Sequence, residues 1–236
     1  LRAPCPLTMG DNLLGWLASA ATILVVVLYE LIQRWRHQDS PGGLARSAHA
    51  GLREDWFRSI SDQAGSEIIA VQTLRNSMMT ATLTATTATL GLMGSVTLAA
   101  SQLHVTFAPG ASPWAAMTPR LVMELLLMSA LFTALACSTI AVRYFNHASF
   151  ICAMPVGSQA RQQWLPVGIA HVRQAGVLYS WGLRALLMVA PLVVSIVHPL
   201  LGPLASLGLV LVLFNMDRVH PHDDPSPVKL ASGSRG

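Results

Sequence analysis

The chain has 236 residues, 53% hydrophobic and only 11% charged, with a mean hydropathy of +0.51 and a formal net charge of +4. Soluble domains carry about a quarter charged residues, so this composition excludes an ordinary soluble globule and points to an integral membrane protein. The positive charge clusters beside apolar segments as a topology signal, which leaves no nucleic-acid partner to be invoked, and three cysteines without a CxxC pair lead us to expect neither a disulfide nor a zinc site.

Residues 1–11 are expected to be a short external N-terminus, and Met9, close before the first apolar block, leaves open that residues 1–8, Cys5 included, are upstream translation. The domain proper is placed at 12–218, with four spans at about 12–32, 78–100, 121–142 and 183–214. Each supplies the roughly 20 apolar residues that a core of about 30 Å requires. A cleaved signal peptide is disfavoured for the first span. Its apolar run is longer than the usual core of about 7–15 residues, Asp11 makes its flank acidic, and Tyr29, Glu30, Gln33 and Arg34 offer no small-residue cleavage site.

The first loop opens on a Ser40, Pro41, Gly42, Gly43 turn. Trp56, Phe57, Ile60, Ile68 and Ile69 then recur at the spacing of an amphipathic helix, with Arg53, Glu54, Asp55, Arg58, Asp62 and Glu67 largely on its other faces. Span two is threaded with Thr73, Thr80, Thr82, Thr84, Thr86, Thr87, Thr89, Ser95 and Thr97. A continuous helix over 68–100 would be about 50 Å long, so its first two turns project beyond the hydrocarbon. The threonines admit two readings: a hydroxylated path for a solute, or a close-packing face on which Ala81, Ala85, Ala88, Gly91 and Ser95 let helices approach while each Thr hydroxyl bonds its own i−4 carbonyl. Packing is the reading we favour.

The connection 101–120, with Pro109, Gly110, Pro113 and Trp114, reads as a short turn with an interfacial aromatic. In span three, Glu124 is the lone carboxylate well inside an apolar block and is expected to snorkel or to pair with Arg120. The second inner loop, about 147–182, holds a candidate helix over 167–180 with Trp164, Tyr179 and Trp181 as interface anchors. Pro191, Pro199, Gly202 and Pro203 interrupt span four. Each half is short, so one kinked helix is expected, with His198 in mid-span bonding a carbonyl freed by the kink. Haem ligation at His198 lacks a second His at equal depth. The tail 219–236 is polar and expected to be external and disordered, with His220 and His222 solvated.

Ten arginines (34, 36, 46, 53, 58, 75, 143, 161, 173 and 184) lie on the two long loops or at their ends, against Arg2, Arg120, Arg218, Lys229 and Arg235 on the other side. The positive-inside rule then places both loops in the cytoplasm and both termini outside it; a bacterial inner membrane is the expected location. On a helix, Gln72, Arg75 and Asn76 share a face, as do Arg143, Asn146 and His147. With Glu30 and Arg184 they would form a polar ring at the cytoplasmic rim. Arginine forks oriented by amides suit an anionic ligand or a partner; equally, they are what positive-inside topology predicts, with Glu30 tying helices through Arg75 or Arg143. No HExxH, GxSxG, Gly-rich phosphate loop or paired acids occur, so no catalytic residue, metal or cofactor is expected.

The strings AVQTLRNSMMTAT (70–82), RYFNHASF (143–150), GLRA (182–185) and LFNMD (213–217) resemble a family of plant and bacterial membrane proteins known only as a domain of unknown function, number five hundred and ninety-nine. The resemblance runs from about Asn12 to Arg218, with AVQTLRNS its most specific part. It implies a multi-helix membrane protein and supplies no catalytic residues. The expected fold class is therefore all-α, a bundle of four transmembrane helices with interfacial amphipathic helices in both loops. The expected function is a non-enzymatic structural or ligand-binding membrane subunit, in contact with lipid and with a membrane-protein partner or a second copy; a solute or ion transporter or channel subunit is the alternative.

Overall fold

A computed structural model of the chain describes residues 9–39, 45–106 and 117–217. The expectations for residues 1–8, for the turns at 40–43 and 109–114 and for the tail 219–236 lie outside these. All elements among the described residues are helical: α1 (Met9–Asp39), α2 (Ala45–Asp62), α3 (Glu67–Thr106), α4 (Pro119–Cys152), α5 (Gln159–Leu187), α6 (Val189–Val197), a 3-10 turn (Pro199–Leu201) and α7 (Gly202–Asp217). Four segments are long and apolar enough to cross a membrane: Leu13–Ile32, Glu67–Ala100, Pro119–Cys152 and Gln159–Val197. This is the all-α bundle expected.

The seams between α3, α4 and α5 follow from small residues at helical spacing. Ala88 of α3, Ala134 of α4 and Ala185 of α5 form one buried cluster. Ala81, Thr84, Ser95 and Ala99 continue the buried stripe of α3. A Cβ on Gly91 would come within 2.9 Å of Leu131, and one on Gly182 within 2.9 Å of the Ser138 hydroxyl and 3.3 Å of the Ala134 carbonyl. Such contacts let backbones approach closely. They also fix α4 antiparallel to both α3 and α5, because numbers rise along one helix as they fall along its neighbour.

At the end where the α2–α3 and α4–α5 connections lie, called here the loop end, α2 joins the bundle. Phe57, fully buried, and Ile60 pack with Ala70, Leu74, Phe145, Ala148, Ile151, Cys152, Val172 and Ala175 into one core. The loop helix therefore lies against α5 inside a second core, with Phe57 filling the space left open by Gly168. Arg161 ties this end together. It is buried, and its guanidinium donates to the carbonyls of Cys152 (3.2 Å) and Met154 (2.6 Å) at the end of α4 and of Ile60 (3.3 Å) near the end of α2. Carbonyls at helix C-termini lack intrahelical partners, and a cation satisfies them well. Pro166 sits inside α5, so the loop expected over 147–182 shrinks to the few residues between Cys152 and Gln159.

Span four departs most from expectation. The single kinked helix over 183–214 is instead a hairpin. Leu187 and Met188 pack against the same Tyr29, Leu209 and Leu213 cluster as Phe214. In a continuous helix Leu187 and Leu209 would be about 33 Å apart. The chain reverses at His198, whose backbone is extended (φ −145, ψ 100), and in the 3-10 turn that follows. Gly202 makes the reversal tight, since a Cβ there would meet Ser195 and Thr22 hydroxyls at 2.8 and 2.6 Å. His198 is thus exposed at the hairpin tip and not buried in mid-span. With Thr22 beside Gly202 and Tyr29 beside Leu209, α7 runs parallel to α1 and ends at the loop end, against α2. The start of α1 and the end of α7 therefore lie at opposite ends of the bundle.

Candidate ligand site at the Arg184–Glu30 pair

Of the residues expected to form a polar ring, six stand at the loop end. The register of α3 on α4 sets Arg75 level with His147 and Asn76 level with Asn146. Gln72, Arg75, Asn76, Arg143, Asn146 and His147 are all exposed, because Ala70 and Leu74 on α3 and Phe145 and Ala148 on α4 take the inward positions. Among the described residues no hydrogen bond or ion pair links one triplet to the other. His147 turns instead toward α5, its ring 5.7 Å from that of His171, which lies 5.2 Å from the Tyr144 ring. The six residues share a level without converging on one point.

Arg184 does not join them. Gly182, half a turn before it, packs on Ala134 and Ser138, which puts Arg184 roughly 10–15 Å from the level of Arg143 and inside the apolar stretch of α4. There Arg184 Nη1 donates to Glu30 Oε1 at 3.2 Å, with side chains 9% and 17% exposed. The expected pairing of Glu30 with Arg75 or Arg143 is thereby replaced by one deeper in the bundle. Ionisable side chains at such depth face the protein interior and pair, since an isolated charge there costs several kcal/mol.

Beside the pair lies a cavity of about 330 Å³, walled by α1, α4, α5 and α6. Its lining is apolar apart from Arg184, Trp181 and the hydroxyls of Thr22, Ser129 and Thr133. Each of those hydroxyls donates to a carbonyl of its own helix, Ala18, Leu125 and Ser129 respectively, which leaves their oxygens able to accept. Ser129, Thr133 and Val27 are exposed on the bundle surface, so the cavity opens sideways between α1 and α4. Its volume falls within the range of small-ligand sites, about 300–1,000 Å³, and a mostly apolar wall with a few convergent polar groups is the composition such sites have. A larger depression of about 680 Å³ on the outer face of α5, flanked by the Glu54–Arg173 ion pair at 3.4 Å, is shallow and solvent-facing.

Two further expectations can be placed. Arg120 Nε pairs with Glu124 Oε1 at 2.9 Å, as anticipated. Of the threonines of span two, Thr80, Thr82, Thr86, Thr87 and Thr97 are exposed on the outer face of α3 and Thr84 is buried. Each donates to its i−4 carbonyl. The packing stripe is made by Ala81, Ala88 and Ser95, as expected, but most threonines stand outside it. Sequence reading missed Arg161 and the depth of Arg184. The available signal for the second was that Val177 to Gly182 extends the apolar block before Arg184, leaving it a cation inside an apolar block and in need of an acid.

The model of a family described as "Protein of unknown function, DUF599" matches residues 17–222. No curated protein and no solved structure matches the chain.

Proposed function

Because the chain belongs to the DUF599 family, whose description assigns no activity, its function has to be read from its own geometry, and we propose that it is a non-enzymatic ligand-binding membrane protein. Its guest is a small amphiphile held in the cavity beside Arg184. The observation that carries this reading is a laterally open, mostly apolar cavity with a buried arginine in its wall. We place the loop end in the cytoplasm of a bacterial inner membrane, on the strength of its arginines.

The test is native mass spectrometry of the full chain purified in mild detergent. A co-purifying small molecule should be present in the wild type and lost in Ala130→Trp, which fills the cavity. Equal retention in the folded variant would refute the reading.

A second reading concerns the exposed triplets. Ile68, Ile69 and Phe150 are 60–72% exposed beside them, and an apolar face rimmed by Arg75 and Arg143 suits an acidic, amphipathic protein segment. Crosslinking from a photoreactive residue at Phe150 should then capture a protein, and Arg75→Glu with Arg143→Glu should abolish the adduct. The transport alternative draws little support from the threonines of span two, since most of them face outward.

A further inference from the structure

Resting on the cavity reading above, we infer that the guest is a long-chain carboxylic acid and that Glu30 takes up its proton. The apolar wall accommodates a hydrocarbon chain, and the planar fork of Arg184 matches a carboxylate with two parallel N–H donors. Arg184 already holds Glu30 at 3.2 Å. An anion entering the site would leave one cation facing two carboxylates in an apolar surrounding, which is a costly arrangement.

A neutral carboxylic acid avoids that. It arrives through the apolar phase with its proton, the proton passes to Glu30, and the resulting carboxylate takes the place of Glu30 on Arg184. One O–H bond breaks in the guest and one forms on Glu30, and the net charge of the site stays at zero throughout. A phosphodiester head group carries no such proton and would leave the site with a net negative charge. The same charge balance disfavours an alcohol, which cannot replace the carboxylate on the guanidinium.

Among the described residues no other carboxylate stands beside the pair. From α1 the neighbour is Tyr29, buried against Leu209 and Leu213 of α7; from α4 it is Cys137, beside Gly182; α6 and the described residues of α7 packed here bring no charged side chain. Glu124 lies seven residues or more outward along α4 from the level of Arg184 and is held by Arg120 at 2.9 Å.

The experiment uses the full chain in nanodiscs of zwitterionic lipid and radiolabelled dodecanoic acid as the probe, with dodecanol and dodecyl phosphocholine as competitors. Binding to the wild type should be saturable, and above the titration of the free acid it should weaken about tenfold per pH unit, since one proton enters with the guest. Glu30→Gln should bind the carboxylate directly, at least tenfold more tightly and with no pH dependence in that range. Arg184→Gln, and the double variant with Glu30→Gln that removes both charges and so protects the fold, should lose binding at least tenfold. Flattening of the pH profile in Glu30→Gln is a change that general loosening of the bundle does not produce. If Ala130→Trp blocks the probe while Glu30→Gln and Arg184→Gln bind like wild type, or if dodecanol competes as well as the acid, the carboxylic-acid assignment is overturned and the cavity reading stands. If Ala130→Trp leaves probe binding intact, both are overturned.

Discussion

The Arg184 guanidinium meets the Glu30 carboxylate at 3.2 Å across 154 positions of sequence, joining α5 to α1 inside the apolar part of the bundle. Removing one partner of such a pair leaves an uncompensated buried charge, at a cost of about 3–5 kcal/mol. The two removals are unequal, because a lone carboxylate can neutralise itself by taking up a proton and a guanidinium cannot shed one. Glu30→Gln should therefore lower the unfolding temperature in detergent more than Arg184→Gln does. The double variant should be milder than the sum of the two singles. An additive double variant would show that the pair is not coupled.

How far this was legible in the sequence varies by level. The apolar lengths of α1, α3 and α4 are set by the bilayer they suit, so the spans were readable without knowledge of their neighbours. The triplets were correctly set on single helix faces, since the 3.6-residue period fixes which residues share a face. What periodicity does not carry is which neighbour each face meets. Pro166 reads as loop punctuation, but it lies within α5, where Gly168 and Gly176 leave the space that Phe57 and Arg53 of α2 occupy. Pro199, Gly202 and Pro203 fit a kink and a reversal equally well; the choice falls to Thr22 and Tyr29 on α1, which Gly202 and Leu209 approach. Arg184 was set at the rim because the span was started at Leu183, one residue before it.

The hairpin makes a topological prediction. With natural cysteines replaced, Asn215→Cys at the end of α7 should react with a membrane-impermeant thiol reagent from the same side as Arg75→Cys. Met117→Cys, just before α4, should react from the other. Labelling of Asn215→Cys together with Met117→Cys would restore the single kinked span.

The reversal depends on glycine for space. Gly202→Ala sets a methyl group within 3 Å of Thr22 and Ser195, and Gly182→Ala sets one against Ser138 and the Ala134 carbonyl. Overpacking of this kind costs about 1–3 kcal/mol. Gly208→Ala meets nothing within 4 Å and, with Ala the better helix former, should be neutral or stabilising by up to about 1 kcal/mol. Unfolding of the three variants in the same detergent gives the ranking directly. A Gly208→Ala protein as unstable as Gly202→Ala would remove the steric explanation.

The two faces of α3 should respond oppositely to substitution. Thr82→Val, Thr86→Val and Thr87→Val lie on the exposed face, where each hydroxyl bonds only its own helix. Exposed substitutions of this kind change stability within about 0.5 kcal/mol, and with no path behind these residues, any solute flux through the protein should be unaltered. Ala81→Leu and Ala88→Leu place three extra carbons into positions of zero exposure against α4. They should destabilise by about 1–3 kcal/mol, or prevent assembly of α3 on α4. Unfolding curves for the five proteins, taken with a flux assay in liposomes, separate the cases. Loss of an otherwise measurable flux in Thr87→Val, with the fold intact, would place a solute path on the outer face of α3, where only a second copy or a partner could close it.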